Sequence, residues 1–269
     1  MNRINKNERV GAIIKILTEN PKKIYNLNYF CEIFDCAKST LSEDIDIVKD
    51  IFEKFKLGEI ETVTGAAGGV LYKPNMTKEQ FKDFCTELCK KINNSERIIP
   101  GGYIYMNDLI YSADVSFNIG RALGSFFQDV DFDYIVTIET KGIPIALMTA
   151  RVLNKPLVVV RKEGRLTEGT AIHMNYVTGS SKRIQTMYLA KRSIARDSKV
   201  IFIDDFMKAG GTAKGIIDLM KEFEAEVVGV GILMVTKEPE EKLIDNYHSL
   251  IVLEEIDSSS GEIIVKPSI

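Results

Sequence analysis

Through the first 95 residues apolar positions recur every three or four places; beyond residue 133 they gather into short unbroken runs. Val10, Ile13, Ile14 and Leu17 put one apolar stripe on a helix that Asn20-Pro21 stops. Leu27 to Phe34 reads as a second, shorter helix, with Asp35-Cys36-Ala37 as a turn. Ser39 or Thr40 is expected to cap a longer helix, Thr40 pairing with Glu43 in a capping box. Leu41, Ile45, Val48, Phe52 and Phe55 form its apolar side, down to Gly58. Ile60–Val63 and Val70–Tyr72 read as strands around Gly65-Ala66-Ala67-Gly68-Gly69. Three helices and a glycine-tipped hairpin predict a winged helix-turn-helix over residues 1–74. Thr77 with Gln80 opens a connecting helix to residue 92, its face built from Phe81, Phe84, Cys85, Leu88 and Ile92. Pro100-Gly101-Gly102-Tyr103 is a turn, and Asp114–Phe127 is again helical.

The later runs are those of buried parallel strands: Tyr134–Ile138, Pro156–Val160, Val200–Ile203, Val227–Met234 and Ser249–Leu253. Residues 75–269 are therefore expected to form an α/β domain with a mainly parallel sheet. Its most informative stretch is Val200–Thr212. Asp204 and Asp205 end a strand, Phe206-Met207-Lys208-Ala209 follows, and Gly210-Gly211-Thr212 leads into a helix carrying Ile216, Ile217, Leu219, Met220 and Phe223. Loop amides and the helix dipole there point at an anion, and glycines let the backbone approach it. The two carboxylates sit where open α/β sheets bind ligands and can accept from vicinal hydroxyls. A ribose diol with a 5′-phosphate fits that description; an acidic turn in an ordinary strand-turn-helix is the competing reading. Glu139-Thr140-Lys141-Gly142, between a strand and the helix Pro144–Leu153, is a second candidate cradle. Alone it differs little from any strand-to-helix turn.

Composition narrows the class only modestly. With 45% hydrophobic and 27% charged residues the chain is that of a soluble globular protein. No apolar run approaches the roughly 20 residues of a membrane helix, and no secretory signal opens it, so a cytoplasmic address is expected. Cys31, Cys36, Cys85 and Cys89 do not suggest a disulfide framework, and with only His173 and His248 no metal site is expected.

Charge complicates the N-terminal domain. A helix-turn-helix presents the start of its second motif helix to the major groove, here Lys38, Ser39, Thr40 and Ser42. Gly68 and Gly69 would let the wing approach the sugar-phosphate backbone, supported by Lys73 and by Arg3 or Lys6. Yet residues 1–74 hold eleven basic and eleven acidic side chains, whereas DNA-binding modules are usually basic. A protein-interaction module stays open unless Glu43, Asp44, Asp46 and Asp50 face away from DNA. Residues 161–199, by contrast, hold nine basic against three acidic side chains. Gly164, Gly169 and Gly179–Arg183 there suggest a hairpin, either a solvated surface or one that attracts polyanions.

The run Asp204–Thr212 resembles the phosphoribosyl pyrophosphate (PRPP) signature of type I phosphoribosyltransferases. With Lys208 and Ala209 where the enzymes carry small hydroxyl residues, and with Ala37–Asp44 and Gly65–Val70 at the other end, the chain is similar to the purine operon repressors of Gram-positive bacteria. The resemblance implies a winged helix joined to a type I phosphoribosyltransferase-like domain that senses PRPP without catalysing transfer. It implies the 5′-phosphate on Gly210, Gly211 and Thr212 with help from Lys208, and the pyrophosphate, with Mg²⁺, on Thr140, Lys141 and Gly142. Tyr103 would belong to a hood over the ligand; a half-buried strand tyrosine is the other reading. Partners implied are double-stranded DNA of purine gene control regions, PRPP or a competing nucleotide such as guanosine tetraphosphate, and a second copy in a homodimer. No membrane partner is implied. An active purine phosphoribosyltransferase with an accessory domain is the alternative.

Overall fold

The structure, a computed structural model, describes residues 4–65, 68–164, 167, 169–177, 183–257 and 262–268. Arg3, Ala66, Ala67 and the run 179–182, all named above, lie outside the described residues. The chain divides into two compact units, Met1–Lys78 with Arg151–Asn154, and Glu79–Ala150 with Lys155–Ile269.

The first unit holds α1 (Lys6–Glu19), α2 (Leu27–Phe34), α3 (Lys38–Phe55) and the antiparallel pair β1 (Glu59–Val63) and β2 (Gly69–Lys73). Asn5 caps α1 in a capping box with Glu8, and Asn26 caps α2 by accepting from the Tyr29 amide at 2.8 Å. The expected cap of α3 is corrected. The helix begins at Lys38 with Ala37 in the capping position and no side-chain cap, so Ser39 and Thr40 lie inside the first turn. Ile13, Leu17, Phe30, Leu41, Val48 and Phe52 are almost wholly buried between the helices and β2. Each such side chain stabilises the unit by about 1.5–3 kcal/mol.

The second unit opens with α4 (Lys78–Ile92), the short hairpin β3 (Ile98–Ile99) and β4 (Tyr103–Ile104), α5 (Asn107–Ile110) and α6 (Ala113–Ser125). Then come β5 (Tyr134–Ile138), α7 (Gly142–Leu153), β6 (Leu157–Val160), the hairpin β7 (Ala171–Val177) and β8 (Ile184–Ala190), β9 (Lys199–Met207), α8 (Gly211–Glu222), β10 (Glu226–Thr236), β11 (His248–Asp257) and β12 (Glu262–Pro267). Six strands form one sheet in the order β12-β11-β10-β9-β5-β6, parallel except for β12. That antiparallel edge strand is an addition to the strands expected from the sequence.

One face is covered by α8 and the β7–β8 hairpin, whose Tyr176, Met187 and Leu189 share a core with Val136, Phe202, Ile216 and Leu219. On the other face Phe127 lies so close to β10 that a Cβ at Gly229 or Gly231 would meet its ring at 2.7 or 3.0 Å. No helix among the described residues is long and apolar enough to cross a membrane.

From β5 the chain crosses to β6 on one side and returns to β9 on the other, so β5 and β9 flank the point where strand order reverses. Loops leaving the carboxyl ends of two such neighbours make a ligand crevice in open α/β sheets. Here those loops are 139–142 and 208–210.

Candidate functional site

β9 runs two residues past its expected end at Asp205, through Phe206 to Met207, because β10 pairs with it that far: Ile232 with Asp204, Met234 with Phe206, Val235 with Met207. The pairing fixes both carboxylates on a strand rather than a turn. Asp204 is buried, and its Oδ1 accepts from the Asp205 amide at 2.9 Å. Burial pushes both carboxyls above the usual carboxylate range, and the charge of Asp205 raises Asp204 further. The bond to Asp204 and the charges of Lys141 and Lys162 draw Asp205 partly back. Hydroxyl donors would relieve that unfavourable charge.

After β9, Gly210 takes the left-handed conformation (φ 82°) as the N-cap of α8 and supplies no side-chain acceptor. The first amides of α8 therefore have no intrahelical partner and face a hollow lined by Asp204, Phe206, Lys208, Gly210, Gly211 and Thr212. Ala209 shares that lining, while Met207 packs mainly into the core at 4% exposure. The second loop comes close beside this one. A Cβ on Gly142, which starts α7, would lie 2.7 Å from Asp204 Oδ1 and 2.5 Å from Thr137 Oγ1. Only glycine allows that approach. Thr140 and Lys141 are exposed on the same loop, and Glu139 is engaged by the Lys162 amide at 2.5 Å and by Arg161 at 3.5 Å.

Tyr103 is 69% exposed, which disposes of a half-buried strand tyrosine. It lines a second cleft with Met106, Lys141, Asp205, Phe206 and Met234, so Phe206 forms a wall common to both hollows. Arg97 holds the β3–β4 hairpin over this cleft. It donates to the Lys91 carbonyl at 2.7 Å and the Tyr105 carbonyl at 2.9 Å, and grips Asp108 with two bonds of 2.8 Å. The hydrogen bonds from Arg97 hold the Asp108 carboxyl below its ordinary range. The structure thus gathers Asp204–Thr212, Thr140–Gly142 and Tyr103 at one end of the sheet.

The proposed DNA face is only partly gathered. Lys38, Ser39 and Ser42 are exposed on α3 and Thr40 is half-buried. Lys38, Asn26, Asn28, Thr62, Gly68 and Gly69 line one groove between the helix starts and the wing. Lys73 stands apart at the base of the wing, opposite Glu59, and pairs with Glu61. The two glycines have structural reasons of their own. A Cβ on Gly69 would lie 2.2 Å from the Tyr25 carbonyl oxygen, and one on Gly68 would lie 2.4 Å from that of Val63. Of the acidic residues in question only Asp44 turns inward: it is 1% exposed and bound by Arg9 at 2.6 and 3.2 Å. Glu43, Asp46 and Asp50 remain exposed, at helical spacing behind Ser39. The groove end of α3 is thus its first turn, and its acidic residues follow along the same side.

Comparison with known proteins agrees with both halves. The family profile described as "Bacterial purine repressor, N-terminal" matches residues 5–74, and that of the phosphoribosyl transferase domain matches residues 111–268. The purine biosynthesis transcriptional repressor PurR of Bacillus subtilis is 43% identical over 95% of this chain and 90% of its own length. The chain belongs to the bacterial purine repressor family. Within that family, the probable purine biosynthesis transcriptional regulator PurR of Streptococcus pneumoniae is 40% identical over 98% of this chain and 96% of its own. The purine biosynthesis transcriptional activator PurR of Lactococcus lactis is 35% identical over 98% and 97%. Among solved structures, adenine phosphoribosyltransferase from Thermoanaerobacter pseudethanolicus aligns with a TM-score of 0.53 at 19% identity, over 62% of this chain and 98% of its own. That likeness bears on the fold of the second unit alone.

Two determinants of the site escaped the sequence reading. Asn26 and Asn28 lie in the wing groove although their only local signal is the capping of α2. Lys162, at the end of β6, acts on both aspartates across the fold and carries no motif.

Proposed function

We propose that the protein is a DNA-binding transcriptional regulator of purine biosynthesis genes, acting as a repressor, and that its phosphoribosyltransferase-type domain senses PRPP without catalysing transfer. The observation that carries this reading is the adjacency of the two anion loops with the carboxylate pair, which offers a partner to every polar group of PRPP. Asp204 and Asp205 accept from the diol, the amides of Gly211 and Thr212 take the 5′-phosphate, and Thr140–Gly142 takes the pyrophosphate. Mg²⁺ fits there as a hard cation among oxygen donors, neutralising diphosphate charge while keeping its waters. Asp204 and Asp205 are the carboxylates that would face it.

The regulatory role comes from the full-length relatives, whose names are those of regulators, and from the exposed first turn of α3. The absence of catalysis rests on Lys208 and Ala209, which replace the small hydroxyl residues of the enzyme pattern. The cleft under Tyr103 gives room for a base, so guanosine tetraphosphate would compete with PRPP. The protein works in the cytoplasm as a homodimer reading two half-sites. PRPP weakens the DNA complex, because an anion bound near the basic 161–199 segment cancels part of its attraction for DNA.

A gel shift on purine-gene promoter DNA, run beside an assay for nucleotide formation from PRPP and adenine, guanine, hypoxanthine or xanthine, tests the reading. Specific retardation without turnover is the expected pair of results. Nucleotide formation at enzymatic rates would refute the sensor reading.

A further inference from the structure

A phosphate cradle requires more than amides pointing inward. The carbonyls of the same peptides must point elsewhere, since their partial negative charge repels the anion. Between β9 and α8 three carbonyls have to be disposed of: two are bonded to backbone amides and the third lies near a hydroxyl. Gly210 O accepts from the Lys214 amide at 2.9 Å, within the first turn of α8. Ala209 O accepts from the Leu243 amide at 2.9 Å, and Lys208 O lies 3.3 Å from the Thr236 hydroxyl. Of these groups, Leu243 belongs to the connection that follows β10, and Thr236 is the last residue of β10 itself. That connection also sits where a side chain on Gly210 would go: a Cβ there would meet the Leu243 nitrogen at 3.3 Å and Ile244 at 3.6 Å.

The connection is itself closed by one side chain. Lys242 Nζ donates to the Thr236 carbonyl at 2.8 Å and the Pro239 carbonyl at 2.5 Å, and lies 3.5 Å from the Thr236 hydroxyl. The Thr236 hydroxyl in turn lies 2.6 Å from the Glu238 carbonyl. Lys242 is partly buried, and burial, with the like charge of Lys208 adding to it and Glu238 opposing, lowers its pKa. An ammonium spent on three oxygens of its own loop is a clamp rather than a surface charge.

We infer that the segment from Thr236 to Ile244 is the brace that turns the loop after β9 into an anion receptor, and that Lys242 is its positioning residue. Lys242 and the Thr236 hydroxyl, bonded to the Glu238 carbonyl, close the loop, the closed loop presents the Leu243 amide to the Ala209 carbonyl, and the amides are left aimed at the phosphate. The inference rests on the effector-site reading above and adds the part of the chain that shapes the site.

Ribose 5-phosphate, which carries the diol and the single phosphate of this cradle, is the probe, titrated calorimetrically into the full chain. Lys242→Met removes the clamp and one charge; Thr236→Val removes a hydroxyl and no charge. Each is expected to weaken ribose 5-phosphate about tenfold, the scale of one lost hydrogen bond near an ion. DNA binding without ligand should stay near the parent value, while the thermal midpoint falls by roughly 2–4 °C for each kcal/mol the lost bonds contribute. Loss in Lys242→Met with an unchanged Thr236→Val would make Lys242 a mere counter-charge and overturn the brace, as would unchanged binding in both. If Lys242→Met does not fold, Thr236→Val decides alone. A parent protein that fails to bind ribose 5-phosphate would instead sink the effector-site reading itself.

Discussion

Gly142→Ala is the sharpest probe of the idea that two loops share one ligand. The added methyl would sit 2.5 Å from Thr137 Oγ1 and 2.7 Å from Asp204 Oδ1. Neither atom can step aside easily. Thr137 is wholly buried in the centre of β5, and Asp204 is tied to the Asp205 amide and buried at 7% exposure. Opening both contacts moves the start of α7 away from β9 by about half an ångström or more, the kind of overpacking that costs about 1–3 kcal/mol. If the strain falls on the site, PRPP should bind roughly 5–150-fold more weakly. If part of it is carried by the free protein, the midpoint of the second unit should drop by roughly 2–4 °C for each kcal/mol. Calorimetric titration with PRPP and Mg²⁺, beside a melting curve, measures both shares. PRPP affinity within twofold of the parent together with an unchanged melting curve would refute the packing argument.

Three further changes test other parts. Ser42→Asp or Lys38→Glu should cripple DNA binding in a fluorescence titration without changing the melting curve, and parent binding should fall steeply with salt through counterion release; if both variants bind like the parent, α3 does not read DNA. Arg9→Met leaves the Asp44 carboxylate buried without its fork and should destabilise the first unit by about 3 kcal/mol in urea, the lower end of the range for a broken buried pair; a loss below about 0.5 kcal/mol would show that the pair contributes nothing. Asp204→Asn removes a carboxyl whose folded pKa is raised. Such a group favours the folded state below its unfolded pKa and loses that contribution as pH rises through the folded value. The variant should therefore be more stable than the parent at neutral pH, with the gain vanishing toward pH ~4, the unperturbed aspartate pKa. A gain that persists undiminished in acid would contradict the sign.

Most of this was written in local pattern. Leu27–Phe34 and Tyr134–Ile138 are observed with the expected ends, because an asparagine cap and an unbroken apolar run leave little competition. The Gly-Gly-Thr loop and its acidic pair were legible for the same reason, since glycine and carboxylate have few other uses at the end of a buried strand. What failed was decided by partners far away in the chain. β9 continues past its two aspartates to Met207 because β10 supplies hydrogen bonds that far. The edge strand β12 is fixed by its antiparallel pairing with β11, from Ile251 with Pro267 to Asp257 with Glu262. Arg9 and Asp44 stand 35 positions apart, and nothing near either announces the other. Gly69 reads as a wing glycine made for DNA, yet it is the Tyr25 carbonyl that excludes a side chain there. The brace behind the phosphate loop depends on which way the Ala209 carbonyl points, and no residue type encodes that.

The central claim is that PRPP and DNA act on one molecule through linked sites, and the dissociation constant for promoter DNA measured against PRPP concentration tests it most directly. Linkage of ordinary size would weaken DNA binding by about 5–150-fold at saturating PRPP. Asp205→Ala, which removes a diol acceptor remote from the winged helix in sequence, should bind DNA like the parent and lose that response. A parent protein whose DNA affinity is indifferent to PRPP, or an Asp205→Ala protein that still responds in full, would contradict the account.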